Sequence, residues 1–257
     1  MIDQPVMIIT GTRKGIGKNL AEYYTKNGFI VIGCSRGNID FELNNYEHYC
    51  LDVSDESLVK KMFKDIRKNF GRIDVLINNA GVNYALAPIL LVPFESALKT
   101  VKINFLGTFI FTREAVKIMK ANSFGRIINF GSMALKHEVK GEAIYTASKA
   151  AIVSLTRVAA KEVYSYGITC NVISPSAVDT DLMKNVNSDA LKEVLSRNAI
   201  SDVGNLEDIS NIIDSNAAYR ENTRWDLTTD YTAELANIVS WLNMRLIFID
   251  DYVNINY

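Results

Sequence analysis

The sequence predicts an α/β fold, a doubly wound parallel sheet of about seven strands with helices on both faces. Short apolar runs rich in β-branched residues recur along the chain, which is typical of strands buried on both faces. Longer stretches of helical period separate these runs, and strict alternation of strand and helix gives parallel pairing with right-handed crossovers. Ligands of such sheets bind at the carboxyl ends of the strands, so we expect functional residues just after each strand.

The predicted elements alternate along most of the chain. Strands are predicted over residues 6–9, 29–32, 73–77, 126–130 and 168–173. Helices are predicted over residues 16–27, 56–69, 94–120 and 142–166. The apolar run 246–251 is a candidate for the seventh strand. Because no Pro/Gly/Ser-rich linker interrupts this pattern, residues 1–257 are predicted to form a single domain.

Composition and charge favour a soluble globular protein that acts on small molecules. Of the 257 residues, 48% are hydrophobic, and 28 basic against 29 acidic residues give a formal net charge of -1. This balance favours neither nucleic acid nor a membrane surface as a partner. We find no signal-peptide pattern, membrane span or metal-ligand spacing, and we expect a cytoplasmic protein. Cys34, Cys50 and Cys170 are expected to be reduced core thiols.

A glycine-rich turn follows the first predicted strand and opens the first predicted helix. Its residues are Thr10-Gly11-Thr12-Arg13-Lys14-Gly15-Ile16-Gly17. Glycines at such a turn allow the backbone to approach a pyrophosphate, which the N–H groups of the helix N-terminus then bind. A purely structural turn is the alternative, since the spacing differs from the general dinucleotide fingerprint.

Arg36 ends the second strand region, where a nicotinamide-cofactor enzyme places the group that meets the adenosine ribose. An acidic residue there would accept from the 2′-hydroxyl, whereas Arg36 would pair with a 2′-phosphate. Lys14 or Arg13 would add a second positive charge. The sequence therefore predicts NADP(H) rather than NAD(H), unless Arg36 and Lys14 are only solvated loop charges.

Tyr145 and Lys149 lie one helical turn apart in the predicted helix 142–166, so their side chains share a face. A neighbouring ammonium stabilises a phenolate and brings the pKa of a tyrosine, about 10 when unperturbed, toward working pH. Ser132 closes the strand before this helix and places a hydroxyl at the same sheet edge. On spacing alone, a packed tyrosine and a surface lysine remain the alternative.

Together these motifs resemble the short-chain dehydrogenase/reductases of the classical type, over residues 6 to about 213. The matching residues are the glycine-rich turn, Asn78-Asn79-Ala80-Gly81, Asn104, Ser132, Tyr145 and Lys149. The resemblance implies a Rossmann-type fold, hydride transfer between NADP(H) and a carbonyl or alcohol, and a homodimer or homotetramer. It is closest to the 3-oxoacyl-[acyl-carrier-protein] reductases.

The resemblance also implies a role for each catalytic residue. Tyr145 would be the general acid in reduction and the base in oxidation, while Ser132 would polarise the substrate oxygen. Lys149 would hold the nicotinamide ribose and lower the pKa of Tyr145. Asn104 would fix a water that connects Lys149 to a proton relay, although a buried, satisfied helix amide is the alternative.

Further cofactor contacts are implied after successive strands. They are Asp52 and Val53 at the adenine, Asn79, Ala80 and Gly81 along the adenosine and ribose channel, and Pro175, Val178 and Thr180 near the carboxamide and pyrophosphate. Asp52 could instead cap the helix that starts near Asp55. Ser176 stands where the family has a glycine. His137 is expected to be a solvated loop residue.

The resemblance fades after residue 213, and residues 181–235 are expected to be a variable region of the substrate pocket. An oxidative alcohol or sugar dehydrogenase of the same family is one alternative function. A non-catalytic NADP(H)-sensing protein is another, because a fold does not fix a function. Loss of Asn104, Ser132, Tyr145 or Lys149 would indicate the sensing protein, and all four are present.

Overall fold

The computed structural model describes residues 4–84, 86–175 and 205–214, and the backbone of residues 247–248. Within these residues, six parallel strands form the sheet: β1 Val6–Thr10, β2 Ile30–Ser35, β3 Tyr46–Cys50, β4 Val75–Asn78, β5 Gly125–Phe130 and β6 Ile168–Pro175. A two-residue strand, β7 Ile247–Phe248, pairs antiparallel with β6. The strand order is β3-β2-β1-β4-β5-β6-β7, so the winding direction reverses between β1 and β4. The predicted α/β, doubly wound architecture is confirmed.

Two strands differ from the prediction. The third strand, β3, was not among the apolar runs, because it lies at the sheet edge and carries polar and aromatic side chains that are only partly buried. The seventh strand lies within the predicted run 246–251, but it is antiparallel to the rest of the sheet.

The helices flank the sheet in the predicted order. They are α1 Gly15–Lys26, α2 Glu56–Phe70, α3 Phe94–Val101, α4 Gly107–Ala121, α5 Ala134–His137, α6 Ala143–Val163 and α7 at residues 206–214. The helix predicted over 94–120 contains a π-helical segment, Lys102–Leu106, between α3 and α4. A π-helical turn holds more residues than an α-helical turn and often occurs at functional sites. Asn104 lies within it.

The core consists of two apolar layers, one on each face of the sheet. Along β1, Val6 and Ile8 face the layer that includes α2 and α4, while Met7 and Ile9 face the layer that includes α1 and α7. None of the four is more than 1% exposed. Each buried side chain of this size contributes about 1.5–3 kcal/mol to folding. A strand buried on both faces therefore requires helices on both faces, as predicted.

Helix α7 packs against α1 after the undescribed residues 176–204. Asn205 Oδ1 accepts from the N–H of Asp208, and Asp208 Oδ2 accepts from the N–H of Asn205, so the two form a reciprocal cap. At the other end, Asp214 accepts hydrogen bonds from the Tyr23 and Tyr24 hydroxyls at 2.6 and 2.8 Å. The hydrogen bonds of Asp214 fix α7 against α1.

Some expectations about the chain are corrected or fall outside the described residues. Cys34 and Cys170 are buried, but Cys50 is exposed at the end of the edge strand, so it is not a core thiol. Val178, Thr180, Ser176 and the variable region 181–235, except for residues 205–214, lie outside the described residues. No helix in the described part of the chain is long and apolar enough to cross a membrane.

Candidate active site

The glycine-rich turn has the geometry of an anion-binding site. Gly11 and Gly15 have φ angles of 77° and 60°, in the left-handed region that favours glycine. A Cβ on Gly17 would overlap the carbonyl oxygen of Gly11. Among the described residues no side chain caps α1, and its first turn holds no acid. Its N–H groups and its positive dipole end therefore fit a pyrophosphate.

Asn79 and Ala80 brace this turn from the end of β4. Asn79 Nδ2 donates to the Thr10 carbonyl oxygen at 2.8 Å, and the N–H of Ala80 donates to Thr10 Oγ1 at 2.9 Å. Gly81 follows, and a Cβ there would lie 3.4 Å from Lys149 Nζ. The predicted Asn79-Ala80-Gly81 segment thus connects the phosphate turn with the catalytic residues.

The predicted adenosine contacts lie at the ends of β2 and β3. Arg36 is exposed just after β2, and Arg13 reaches the same loop, since a Cβ on Gly37 would lie 2.8 Å from Arg13 Nη1. Lys14 is also exposed. Three positive side chains therefore border the place expected for the adenosine ribose.

Asp52 and Val53 follow β3. Asp52 Oδ1 accepts from the N–H and hydroxyl of Ser54 at 2.8 and 2.7 Å. The cap of α2 is Asp55, which accepts from the N–H of Leu58, so the alternative in which Asp52 caps this helix is wrong. Val53 is 7% exposed and packs on α4, where a Cβ on Gly107 would lie 2.8 Å from its Cγ2.

Ser132, Tyr145 and Lys149 lie together at the carboxyl edge of the sheet, where Pro175 ends the neighbouring β6. The Ser132 and Tyr145 hydroxyls are hydrogen-bonded. Lys149 Nζ lies 5.8 Å from the centroid of the Tyr145 ring and donates to the Phe130 carbonyl oxygen at 2.8 Å. Lys149 is 4% exposed, whereas Ser132 and Tyr145 retain partial exposure. The two hydroxyls are therefore accessible to a substrate, and the ammonium of Lys149 lies in the protein interior behind them.

The pKa of Tyr145 is raised, not lowered. Burial raises it to about 12, the Ser132 hydrogen bond partly opposes this shift, and the Glu142 charge adds to it. Burial lowers the pKa of Lys149 to about 8. Lys149 is not among the causes of the Tyr145 shift; its ammonium donates to the Phe130 carbonyl oxygen and lies 5.8 Å from the centroid of the Tyr145 ring, and the lowering of the Tyr145 pKa expected from it stays a prediction.

Asn104 is fully buried and its side chain is satisfied. Its Oδ1 accepts from the N–H of Val82 at 2.8 Å, and its Nδ2 donates to the Val82 carbonyl and to Ser148 Oγ, both at 2.9 Å. Ser148 Oγ in turn donates to the Tyr145 carbonyl oxygen at 2.7 Å. Of the two roles considered for Asn104 from the sequence, the side chain has the geometry of a buried amide whose hydrogen bonds are all made within the protein. It also ties the loop after β4 to the helix that carries Tyr145.

A second buried network was missed from the sequence. Asn78 Nδ2 donates to Asn129 Oδ1 at 2.8 Å and to Thr112 Oγ1 at 3.1 Å, and Asn129 Nδ2 donates to Thr156 Oγ1 at 2.8 Å. Asn78 and Asn129 are opposite each other in the β4–β5 pairing. The sequence signal that could have predicted this network is an asparagine at the end of each of two buried strands, because buried polar side chains need hydrogen-bond partners.

Glu142 and Asn83 form a further polar pair beside Tyr145. Asn83 Nδ2 donates to Glu142 Oε1 at 3.1 Å, and burial raises the pKa of Glu142. Neither residue belongs to a motif, so the sequence did not indicate them. His137 is 6% exposed on α5, which corrects the expectation of a solvated loop residue.

Comparison with known proteins identifies relatives. A family model described as short chain dehydrogenase matches residues 5–191. The uncharacterized oxidoreductase YxjF of Bacillus subtilis (strain 168) is 32% identical over 196 residues, 73% of this chain and 76% of that protein. The 3-oxoacyl-[acyl-carrier-protein] reductase FabG of Escherichia coli (strain K12) is 28% identical over 214 residues, 81% and 87% of the two chains.

Solved structures similar to this chain include proteins with a bound nicotinamide cofactor. The structure of ElxO with NADP bound has a TM-score of 0.75 and 30% sequence identity, over 82% of this chain and 90% of that one. Structures similar to this chain hold NADP in some cases and NAD+ in others.

Proposed function

The chain belongs to the short chain dehydrogenase family, whose members act on carbonyl and alcohol groups, and we propose that it is an NADP(H)-dependent reductase with Tyr145 as its general acid and base. The observation that carries the proposal is the meeting of Ser132, Tyr145 and Lys149 at the same sheet edge as the glycine-rich turn. A hydroxyl pair with partial exposure, backed by a buried ammonium, is what carbonyl reduction needs.

The chemistry requires one hydride and one proton for each carbonyl. A nicotinamide held by the glycine-rich turn and Gly81 would be the source of the hydride for the carbonyl carbon. Tyr145 donates its proton to the carbonyl oxygen, while Ser132 donates a hydrogen bond that polarises the C=O bond. Lys149, with a pKa of about 8, is the nearby ammonium from which the phenolate of Tyr145 can recover a proton. Oxidation of the alcohol reverses each transfer.

Positive charge supports NADP(H) as the cofactor. Arg36 and Arg13 border the loop after β2, where a 2′-phosphate would lie, and Lys14 is part of the adjacent turn. The glycine-rich turn and Gly81 would hold the pyrophosphate and ribose, with Asp52 and Val53 near the adenine. Pro175, Val178 and Thr180 are proposed near the carboxamide, and Asn104 is proposed to hold a water of the proton relay.

A 3-oxoacyl thioester or another small ketone is the proposed substrate, since FabG reductases are among the relatives. Residues 181–235 are proposed to contribute to the pocket wall. We further propose a cytoplasmic homodimer or homotetramer. Exposed apolar side chains on α4 and α6, such as Phe109 and Val158 at 37% and 53% exposure, support a subunit interface.

The test follows NADPH consumption by its absorbance, with a 3-oxoacyl thioester, a cyclic ketone and a ketose as substrates. We expect turnover with at least one, and Tyr145→Phe should lower kcat by about 10²-fold or more while NADPH still binds. Tyr164→Phe, at an exposed tyrosine beyond the end of α6, is the matched control and should change little.

Undiminished activity of Tyr145→Phe would exclude the proposed mechanism. Inertness toward every substrate, with NADPH still bound, would favour the NADP(H)-sensing alternative. Faster turnover of alcohols with NADP+ than of ketones with NADPH, at the same pH, would favour an oxidative dehydrogenase.

A further inference from the structure

A chain of hydrogen bonds links β3 to both cofactor loops. Tyr46 and His48 lie on one face of β3, with stacked rings 6.1 Å apart. The Tyr46 hydroxyl lies within hydrogen-bonding distance of Thr12 Oγ1 at 2.7 Å and of His48 Nδ1 at 2.9 Å. His48 Nε2 lies 3.0 Å from Ser35 Oγ and 3.2 Å from the Gly37 carbonyl oxygen. The phosphate turn and the loop after β2 are therefore connected through the edge strand.

A glycine in the middle of β2 makes this connection possible. A Cβ on Gly33 would overlap both the Tyr46 hydroxyl and Thr12 Oγ1. Glycine in a strand interior weakens the strand and often marks a close approach by another group. Thr12 is 0% exposed, so its hydroxyl needs a partner, and Tyr46 supplies one across the glycine.

The loop that carries Arg36 is closed and anchored from two sides. Ser35 Oγ donates to the Gly37 carbonyl oxygen at 2.8 Å, which closes the loop beneath the exposed Arg36. His48 contacts the same two loop residues, and Arg13 of the phosphate turn packs on Gly37. The position of the Arg36 backbone therefore depends on groups from both β3 and the turn.

We propose that His48 and Tyr46 are positioning residues for the adenosine 2′-phosphate, because they hold the loop of Arg36 against the phosphate turn. This inference rests on the proposed use of NADP(H). A preset loop spares the ordering cost when the guanidinium meets the phosphate, so its loss weakens NADPH binding. NADH lacks the 2′-phosphate and does not use Arg36, so its binding is unaffected.

The test is a titration of NADPH and of NADH binding to the whole protein by cofactor fluorescence. His48→Ala should raise the dissociation constant for NADPH about fivefold, as expected for lost hydrogen bonds, and leave that for NADH unchanged. His48→Gln, whose amide can still donate and accept, should recover most of the NADPH affinity. Tyr46→Phe also removes a partner of Thr12 in the turn that both cofactors use, so it should weaken NADPH binding by a smaller factor than His48→Ala does, and NADPH binding more than NADH binding.

Tyr49→Phe is the matched control, because Tyr49 packs on the opposite core layer and its hydroxyl pairs with Glu47 rather than with the cofactor loops. It should leave both dissociation constants unchanged. Equal weakening of NADPH and NADH binding by His48→Ala, or no change in either, would overturn the inference. If His48→Ala does not fold, as judged by circular dichroism, the selectivity of Tyr46→Phe decides in the same way.

Arg36→Ala separates this inference from the proposal beneath it. If Arg36→Ala leaves the ratio of NADPH to NADH affinity unchanged, the assignment of the 2′-phosphate to Arg36 fails. If Arg36→Ala lowers that ratio and neither His48→Ala nor Tyr46→Phe does, only the positioning role fails.

Discussion

The catalytic half of the site, at the ends of β4 and β5 and on α6, holds its groups differently from the adenosine half, at the ends of β1 and β2. In the catalytic half, Asn78, Asn104, Asn129, Ser148 and Lys149 are each at most 4% exposed. In the adenosine half, the charged side chains of Arg13, Lys14 and Arg36 are exposed above partly buried supports. The groups expected to meet the ligand are therefore held by buried hydrogen bonds in the catalytic half, whereas in the adenosine half they are exposed charges on a hydrogen-bonded support.

This difference determines how each half responds to change. Buried hydrogen bonds are strong, are not screened by salt and leave costly unpaired groups when one partner is removed. Exposed charges are screened within about 10 Å at ordinary ionic strength and contribute less. We therefore expect the catalytic half to tolerate little substitution, and the adenosine half to be adjustable in both strength and specificity.

The largest expected effect is in the buried amide network. Asn129→Ala removes one of two partners of Asn78 Nδ2 and one of two partners of Thr156 Oγ1 in a fully buried site, and leaves a cavity, so it should lower the free energy of unfolding by about 3 kcal/mol. Urea denaturation measures this loss. Asn171→Ala, on the neighbouring strand, is the control: its amide is partly exposed and makes a 3.5 Å contact with Thr169, so the loss should be below about 0.5 kcal/mol. Equal losses in the two variants would contradict the statement that buried hydrogen bonds hold the catalytic half.

An intermediate effect is expected at Arg36. Arg36→Ala should raise the dissociation constant for NADPH about tenfold at low salt. This is the effect expected for the loss of one charge-assisted hydrogen bond that solvent exposure weakens. High salt should reduce the difference in NADPH affinity between the unsubstituted protein and Arg36→Ala, because salt screens the charge that only the unsubstituted protein carries. Fluorescence titration at two ionic strengths measures both. Lys26→Ala, at the far end of α1, changes the net charge equally and should leave NADPH affinity nearly unchanged. A salt-independent loss at Arg36 would mean that this half also depends on buried bonds.

The smallest effect is expected at Glu142. Its negative charge raises the pKa of Tyr145, so Glu142→Gln should lower that pKa. Carbonyl reduction needs protonated Tyr145, and its loss with rising pH should therefore begin at lower pH in the variant. The difference should vanish at acidic pH, where Glu142 itself is neutral. A pH profile of kcat/KM measures the shift, with the exposed Glu138→Gln as control. An unchanged profile would show that Glu142 does not act on Tyr145.

Local patterns predicted the elements that are buried on both faces and the residues that follow them. The apolar runs of β1, β4 and β5 were sufficient, since strand ends of a parallel sheet meet at one edge. The convergence of Ser132 and Tyr145 follows from that rule and from helix periodicity. The edge strand β3 was missed because its side chains are only partly buried: Tyr46 packs on the core layer of α1 through its ring, but its hydroxyl and His48 belong to a polar network.

Features that depend on pairing across the sheet could not be predicted. The Asn78–Asn129 contact needs the register of β4 against β5, and the partners of Asn104 need the π-helical turn that interrupts α3 and α4. The pKa of Tyr145 depends on burial and on Glu142, which the spacing of Tyr145 and Lys149 does not report. Residues 176–204, which include Val178 and Thr180, lie outside the described residues.

The glycine at position 33 has a consequence for protein engineering. A change of coenzyme preference would begin with the residues at the end of the second strand, here Ser35 to Gly37, where the adenosine ribose is expected. In this chain those residues are held by Tyr46 and His48, which come from a different strand and reach across Gly33. A loop taken from another protein would lack matching partners at positions 46 and 48. A redesign that exchanges residues 33–37 together with positions 46 and 48, as one cassette, is therefore expected to retain affinity that loop exchange alone would lose.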